Sequence, residues 1–184
     1  EILAPLMEAH PALDIEVSVS DAVEDLLARK ADIALRMVEP KQEALLVRHI
    51  GTIPIGCFAR KEVIERHGAP GTLEEVEKLP TIGFDHELVY IREALDAFGD
   101  LKMPAFDFRS DSNLAQLAAI RAGCGFGFCQ APIGRRDPRL EEVLAGQVPL
   151  SLPLWVVMHE DLRRSPRCRV TFDALVTGLK AYIG

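Results

Sequence analysis

Residues 109–130 read RSDSNLAQLAAIRAGCGFGFCQ, and this stretch predicts the fold class more clearly than any other part of the chain. A strand is expected to end where the stretch begins, and residues 110–113 form a polar cluster of the type that caps a helix. Apolar residues then recur at helical spacing as far as Ile120, and Gly123 is a typical helix end. The next strand is predicted over residues 125–129. Strand, helix and strand in alternation indicate an α/β protein with a largely parallel sheet.

The same alternation extends along the rest of the chain. Four short polar residues mark further helix starts. Asp21 and Thr72 are each followed three positions later by a glutamate, and Asp137 and Ser165 are each followed directly by proline. The predicted helices cover residues 2–7, 21–27, 61–67, 72–79, 88–98, 114–120, 137–146 and 165–183. The predicted strands cover residues 15–19, 31–37, 45–50, 53–59, 81–84, 105–109, 125–129 and 152–159, with a break at Gly51.

The composition excludes several classes of protein. The chain has 184 residues, of which 48% are hydrophobic and 27% charged, enough to bury a core as one domain or two small lobes. Its longest apolar runs, such as residues 154–158, fall far short of the roughly 20 residues of a membrane-spanning helix. A formal net charge of -7 argues against a free-standing nucleic-acid-binding protein, because binding to phosphates requires surplus Lys and Arg. We therefore expect a globular domain that does not bind DNA by itself.

Cysteine usage and the first residues suggest the cellular setting. The four cysteines include no C-x-x-C pair, which is typical of a reducing compartment, so a cytoplasmic location is expected. Cys124 and Cys129 have two interpretations, a redox pair or ordinary core thiols, and the second fits their apolar surroundings better. Glu1 is followed by neither the charged nor the apolar segment of a signal peptide, and further residues are expected before it.

Patterns for catalysis or metal binding are weak. Gly123, Gly125 and Gly127 follow a helix and lead into a strand, whereas a phosphate-binding loop follows a strand and leads into a helix. These glycines therefore indicate a helix end and a closely packed strand. No two of the five histidines are four residues apart, and no G-x-S-x-G motif occurs. Neither a metal, a cofactor nor a catalytic residue is predicted.

An arginine cluster lies around the predicted start of the last helix. Its members are Arg163, Arg164, Arg167 and Arg169. Positive charges are not stabilised by the helix dipole at the N-terminal end of a helix, so the position of these arginines has to be explained in another way. A solvated or ion-paired face is the first interpretation, and a subunit contact and a DNA contact are the alternatives.

Two polar segments, Ser20-Asp21 and Ser112-Asn113, each follow a strand and open a helix. In open α/β sheets, ligands bind beyond the carboxyl ends of the strands, where helix N-termini meet. Helix capping alone explains any one of these residues. Two such starts in different halves of the chain predict a ligand cleft.

Three stretches resemble the effector-binding domain of LysR-type transcriptional regulators. From Leu6 onward, His10-Pro11, IEVSVSD and LLARKADIALR match the family's proline, strand and L-x-x-G-x-x-D pattern, with Arg29 in place of the glycine. Residues 109–128 and 152–169 are similar to the family's central helix-strand unit and to its last strand and helix. The three stretches occur in the same order and with the same spacing as in the family, and the resemblance covers nearly the whole chain.

The resemblance implies two α/β lobes of the type II periplasmic-binding-protein kind, joined by two crossing strands. Lobe I would comprise residues 1–57 and 157–184, and lobe II residues 58–156. The family's first strand, its Ser/Thr-bearing loop and its winged helix-turn-helix are expected to precede Glu1.

The resemblance also implies an effector sensor and not an enzyme. A small molecule would bind between the lobes and favour one lobe or subunit arrangement, which DNA-binding domains outside this chain would sense. Homodimers or homotetramers are implied, with DNA contacted only through the N-terminal domain and no membrane partner. A transport solute-binding protein of the same fold is the first alternative, disfavoured by the cysteines and the missing signal peptide. An enzyme on this fold is the second, disfavoured by the lack of any motif.

The candidate effector site combines residues from both lobes. The polar helix starts give Ser20, Asp21, Ser112 and Asn113, and a predicted strand end gives Arg109. The resemblance implies that Arg36, Phe84, Asp85, Cys129 and Gln130 lie at neighbouring strand ends. The resemblance also implies that Ile55 and Cys57 form the floor of the cleft. Arg36 and Arg109, each at a predicted strand end, favour an anion because a guanidinium binds a carboxylate with two hydrogen bonds, unless both are paired internally. The expected effector is therefore an organic acid or an aromatic compound.

Overall fold

The computed structural model describes residues 1–19, 31–40, 44–85 and 106–184. In chain order, the helices and strands of these residues are α1 (Leu3–Ala9), β1 (Ile33–Arg36), β2 (Leu45–Arg60), α2 (Lys61–His67), α3 (Leu73–Val76), β3 (Thr81–Gly83), β4 (Phe108–Arg109), α4 (Asn113–Ala122), β5 (Phe126–Gln130), α5 (Ala131–Arg136), β6 (Leu140–Val143), β7 (Ser151–His159) and α6 (Pro166–Ile183), with a 3-10 helix at Glu160–Arg164 before α6.

The chain divides into two compact units. Unit 1 comprises residues 1–52 and 153–184, and unit 2 comprises residues 53–152. Strands β2 and β7 each run from one unit into the other. These are the two crossing strands of the predicted fold.

Unit 1 contains a sheet and the helices α1 and α6. Strand β1 pairs antiparallel with β7, with Arg36 opposite Trp155, and the strand order continues to β2. Helix α6 has Pro166 in its first turn, as the sequence predicts. Gly178 of α6 lies close to Ile2, the residue before α1, since a Cβ at this position would be only 2.7 Å from the Ile2 side chain.

Strand β2 is continuous, whereas the sequence predicted two strands with a break at Gly51. Gly51 has a φ of +148°, which few side chains tolerate, and a Cβ there would lie 2.5 Å from Ile183 of α6. The glycine therefore allows α6 to lie close to the strand, and it does not end the strand.

The sheet of unit 2 is mixed and not largely parallel as predicted. Strand β3 pairs parallel with both β4 and β5. Strands β5 and β6 each pair antiparallel with the second part of β2, for which Gly56 opposite Cys129 and Cys57 opposite Val143 give the registers. The candidate site lies at one end of the parallel strands β3, β4 and β5.

Both faces of β2 contribute to the core of unit 2, because successive side chains of a strand point to opposite faces. Cys57 packs in a cluster with Phe126 and Val143, and Phe58 packs in another with Ile82 and Ile120. The sheet is therefore covered by apolar groups on both sides.

The glycines after α4 have the structural role that the sequence predicted. Gly123 ends α4 with a φ of +83°. A Cβ at Gly125 would overlap the carbonyl oxygen of Pro80, and one at Gly127 would lie 2.7 Å from Ile120. Only glycine allows β5 to pack this closely.

Residues 137–146 do not form the predicted helix. Leu140 and Val143 belong to strand β6, which pairs with β2, and each packs in a different one of the two clusters. Two apolar residues three positions apart fit one face of a helix, but they fit equally well a strand that is buried on both faces. Asp137 is therefore not the predicted N-cap: it follows α5 as its C-cap residue, and its carboxylate accepts hydrogen bonds from Arg139 and Arg121. The sequence also missed the short helix α5 just before it.

The predicted strand at residues 15–19 was wrong. These residues form no strand, and Val17 and Val19 are 65% and 77% exposed. Alternating apolar residues make a strand only where a neighbouring strand pairs with the backbone, and none of the described residues does so here. The predicted helices at residues 21–27 and 88–98 lie outside the described residues.

Candidate functional site

Three parallel strands of unit 2 end at the same edge of the sheet. Ile82 of β3 lies opposite Phe108 of β4 and Gly127 of β5, so the residues that follow these strands meet at the carboxyl edge. Seven of the predicted site residues lie at or just beyond this edge: Phe84, Asp85, Arg109, Ser112, Asn113, Cys129 and Gln130. This carboxyl edge is where ligands bind in open α/β sheets.

The loop between β4 and α4 is fixed by its own hydrogen bonds. The Ser110 N–H donates to the Gly83 carbonyl at 3.0 Å, which ties the loop to β3. The Ser112 N–H donates to Ser110 Oγ at 3.2 Å, and Ser112 Oγ accepts from the Ala115 N–H at 3.3 Å. Ser112 is therefore the N-cap of α4, as the sequence predicts, and it is also exposed at the edge.

Gln116 is a polar residue of this region that sequence reasoning missed. It is only 3% exposed, and its Nε2 donates to the Ser110 carbonyl at 2.6 Å. The sequence did indicate a buried polar residue here, because Gln116 lies among apolar residues one turn after Ser112 in α4. A buried amide of this kind usually supports a loop, and here it holds Ser110 in place.

The charged groups at the edge neutralise one another in part. Arg109 forms an ion pair with Asp85 at 3.2 Å between Nη1 and Oδ1, and both side chains are exposed. The Asp85 N–H donates to Asp111 Oδ1 at 3.0 Å. The charge of Arg109 is thus partly compensated by an acidic neighbour, which weakens the argument for an anionic ligand at this edge.

The thiol of Cys129 is neutral. Burial raises its pKa to about 12, and the nearby Arg121 charge and the Gly134 N–H only partly oppose this effect. Cys129 therefore presents a weakly polar, neutral thiol at the end of β5, and this thiol is a poor nucleophile. Its neighbour Gln130 lies opposite Ile55 of β2.

Cys57 does not form the floor of a cleft as predicted. It is fully buried in the core of unit 2, and burial raises the pKa of its thiol to about 12. Cys124 is exposed, contrary to the expectation of a core thiol. All four cysteines are free.

The unit 1 part of the predicted site is described only at Arg36. This residue ends β1 and lies opposite Trp155 of β7. Ser20 and Asp21 lie outside the described residues.

Other constellations contribute little chemistry. The members of the arginine cluster are exposed, and Arg169 lies 3.8 Å from Asp173. Within the described ranges, no group of three or more His, Cys, Asp or Glu side chains is arranged to hold a metal ion. No helix in the described part of the chain is both long and apolar enough to span a bilayer.

Comparison with known proteins establishes the family. The model of the LysR substrate binding domain matches residues 1–180. The chain belongs to this family. The chain is 28% identical over 191 residues to the HTH-type transcriptional regulator CrgA of Neisseria meningitidis serogroup C. This match covers 97% of the chain. The chain spans 62% of the length of that relative.

Solved structures agree with the family match. The regulatory domain of CrgA from Neisseria meningitidis, a LysR-type transcriptional regulator, superposes with a TM-score of 0.79 at 25% identity, over 97% of this chain and 90% of that one. Full-length AphB of Vibrio cholerae superposes with a TM-score of 0.71 at 18% identity, over 96% of this chain and 62% of that one, which shows the shared fold.

The chain is therefore a LysR substrate-binding domain, with the periplasmic-binding-protein-like fold of the LysR regulatory domains. This identification is favoured over a transport solute-binding protein of the same fold.

Proposed function

We propose that the carboxyl edge of β3, β4 and β5 binds one side of a small-molecule effector. The observation that carries this proposal is the parallel register, which gathers the ends of three strands and the start of α4 at one place. Ser112 and Asn113 supply polar groups at the helix start, and Gln130 supplies an amide from the neighbouring strand. These groups bind a polar substituent without a buried protein charge.

The unit 1 side of the site is proposed to consist of Arg36, Ser20 and Asp21. We also propose the lobe boundaries given by the sequence, residues 1–57 with 157–184 for lobe I and residues 58–156 for lobe II. The existence of two compact units supports a division of this kind.

The effector is proposed to be a small organic acid or an aromatic compound. At the unit 2 edge, the pairing of Arg109 with Asp85 favours recognition through hydrogen bonds over recognition through net charge. A carboxylate of the effector would then be held elsewhere in the site.

Signal transfer is proposed to follow from linkage, without catalysis or a cofactor. An effector that binds one lobe or subunit arrangement more tightly shifts the population toward it, and only the difference in affinity does so. The readout is proposed to be a DNA-binding domain outside this chain, in a cytoplasmic homodimer or homotetramer. The names of the relatives, which are HTH-type regulators, support this proposal.

A thermal-shift screen of small organic acids and aromatic compounds tests the proposed function. A ligand that binds only the folded state raises stability by RT ln(1 + [L]/Kd), or about 2.7 kcal/mol at a hundredfold excess over Kd. We expect at least one compound class to raise the melting temperature with saturation. If no compound does so at millimolar concentration, the proposal is wrong for these classes.

A further inference from the structure

Three side chains form a row across the sheet of unit 1. Arg36 on β1 lies directly opposite Trp155 on β7, and the ring of His49 on β2 contacts the indole with ring centroids 4.3 Å apart. Residues opposite each other on antiparallel strands share a face of the sheet. We call Arg36, Trp155 and His49 the cross-strand row.

The indole N–H at the centre of this row has no hydrogen-bond acceptor. Trp155 Nε1 is the buried side-chain donor of the described residues that lacks a partner. A buried donor without an acceptor is destabilising, so native proteins contain few of them. This cost is recovered when an acceptor is brought to the indole.

The neighbours of Trp155 in the row do not supply that acceptor. A guanidinium has donors only, and the indole itself is a donor only. The imidazole of His49 is tilted by 40° to the indole, and it does not accept from the indole N–H either, since Trp155 Nε1 has no partner. The row therefore contains an indole N–H that an oxygen acceptor would satisfy, on the strand next to the guanidinium of Arg36.

We propose that Trp155 is an effector contact that donates its indole N–H to the carboxylate of a small molecule. Arg36 supplies the charge that favours a carboxylate over a neutral oxygen. His49 is exposed, and displacing its ring would open the indole to a ligand. This inference rests on the proposed function and adds to it the chemical class of the effector and a residue that the sequence did not indicate.

Calorimetric titration with 2-furoate tests the inference, with furfuryl alcohol as the matched probe that keeps the ring and lacks the carboxylate. We expect the unmodified domain to bind 2-furoate and to bind the alcohol at least tenfold more weakly. Trp155→Phe keeps an aromatic ring and removes the N–H, and it should weaken 2-furoate binding about tenfold, as expected for one charged hydrogen bond. His159→Gln is the control, because His159 lies on the same strand and its Nδ1 contacts Asp161, accepting from the N–H at 3.2 Å and lying 3.4 Å from Oδ2. The affinity of this variant for 2-furoate should stay within twofold of the wild type.

Fluorescence gives a second readout that does not depend on a variant. The chain has one tryptophan, so its emission reports on Trp155 alone. Saturating 2-furoate should change this emission with the same midpoint as the calorimetric titration. Emission that stays constant while 2-furoate binds contradicts the inference.

The outcomes separate this inference from the proposed function. If Trp155→Phe leaves 2-furoate affinity unchanged while Ser112→Ala lowers it, the cross-strand row is not a contact and the unit 2 edge remains one. If Trp155→Phe lowers affinity and Ser112→Ala does not, the inference holds and the proposed edge is wrong. If 2-furoate does not bind but another compound of the thermal-shift screen does, the ligand class proposed for the row is wrong and the proposed function stands.

Discussion

Ser112 and Asp137 carry the same local signal in the sequence and have opposite fates in the structure. Each is a short polar residue before an apolar pattern at helical spacing. Ser112 caps α4, with its hydroxyl accepting from the Ala115 N–H at 3.3 Å. Asp137 precedes a strand, and its carboxylate is held by Arg139 and Arg121.

The difference shows what decides the use of a capping residue. Both residue types cap helices, but two guanidinium groups reach the carboxylate of Asp137, and its Oδ1 also accepts from the Arg139 N–H at 3.1 Å. Asp137 is 6% exposed and serves stability inside unit 2, while Ser112 stays exposed at the edge of the sheet. The comparison therefore separates a structural polar residue from one that is available to a ligand.

The largest expected effect is on stability, at Asp137. Asp137→Ala removes an acceptor that two arginines share, and it should lower the free energy of unfolding by about 2 kcal/mol, within the range for hydrogen bonds to charged groups. Effector affinity should not change, because Asp137 is not at the carboxyl edge. Urea denaturation and calorimetry on the same protein check both parts. A large loss of effector affinity with unchanged stability would show that Asp137 acts on the ligand and not on the fold.

This contribution of Asp137 should also depend on pH. The Arg139 guanidinium, which hydrogen-bonds the carboxylate, holds the pKa of Asp137 well below its usual range. A lowered carboxyl pKa gives stability that is present above the unfolded pKa of about 3.9 and is lost as the pH falls below it. The difference in melting temperature between wild type and Asp137→Ala should therefore be constant from pH 7 to pH 5 and narrow below pH 4. A difference that widens in acid contradicts the ion pair.

Ser112→Ala should act mainly on the ligand. Loss of a hydroxyl that binds the effector weakens affinity by about 1–2 kcal/mol, or roughly 5- to 30-fold. The loss of the cap lowers stability by about 1 kcal/mol or less, since Asn113 is also able to accept from the first turn. Calorimetric affinity and melting temperature with a confirmed effector separate the two effects. Unchanged affinity with a lowered melting temperature shows that Ser112 is a cap and nothing more, and Ser20→Ala applies the same test to unit 1.

Ser165→Ala should have the smallest effect. Ser165 precedes α6 in the N-cap position, but its side chain makes no capping hydrogen bond. Without that bond, the substitution should change stability by less than about 0.5 kcal/mol, as at an ordinary surface position. Thermal denaturation beside Ser112→Ala measures the difference. A loss equal to that of Ser112→Ala shows that side-chain capping geometry does not decide these effects.

The sequence predicted elements well where local signals act alone. Gly123 and the hydrophobic stripe of α6 depend on backbone conformation and helical spacing, which neighbouring residues set. It failed where partners distant in the chain decide, as for β6, whose pairing with β2 overrides a helical spacing. Gly51 was misread for the same reason, because the approach of Ile183 becomes visible only in three dimensions.

The candidate site was predictable in part for a related reason. The rule that ligands bind at strand ends pointed to residues of the carboxyl edge, because parallel pairing places such ends together. The ion pair of Arg109 with Asp85 and the burial of Cys57 depend on packing, which no local pattern encodes. The cross-strand row was invisible for the same reason, since its residues are far apart in sequence and adjacent only across strands.

Amide chemical-shift mapping with a confirmed effector tests the central claim most directly, that the carboxyl edge of unit 2 binds the effector. The largest shifts within unit 2 should fall at Phe84, Asp85, Ser112, Asn113 and Gln130. The amides around Asp137 and β6 should stay unchanged and serve as the internal control. Shifts that concentrate around Asp137 and β6, with the edge amides unchanged, contradict the claim.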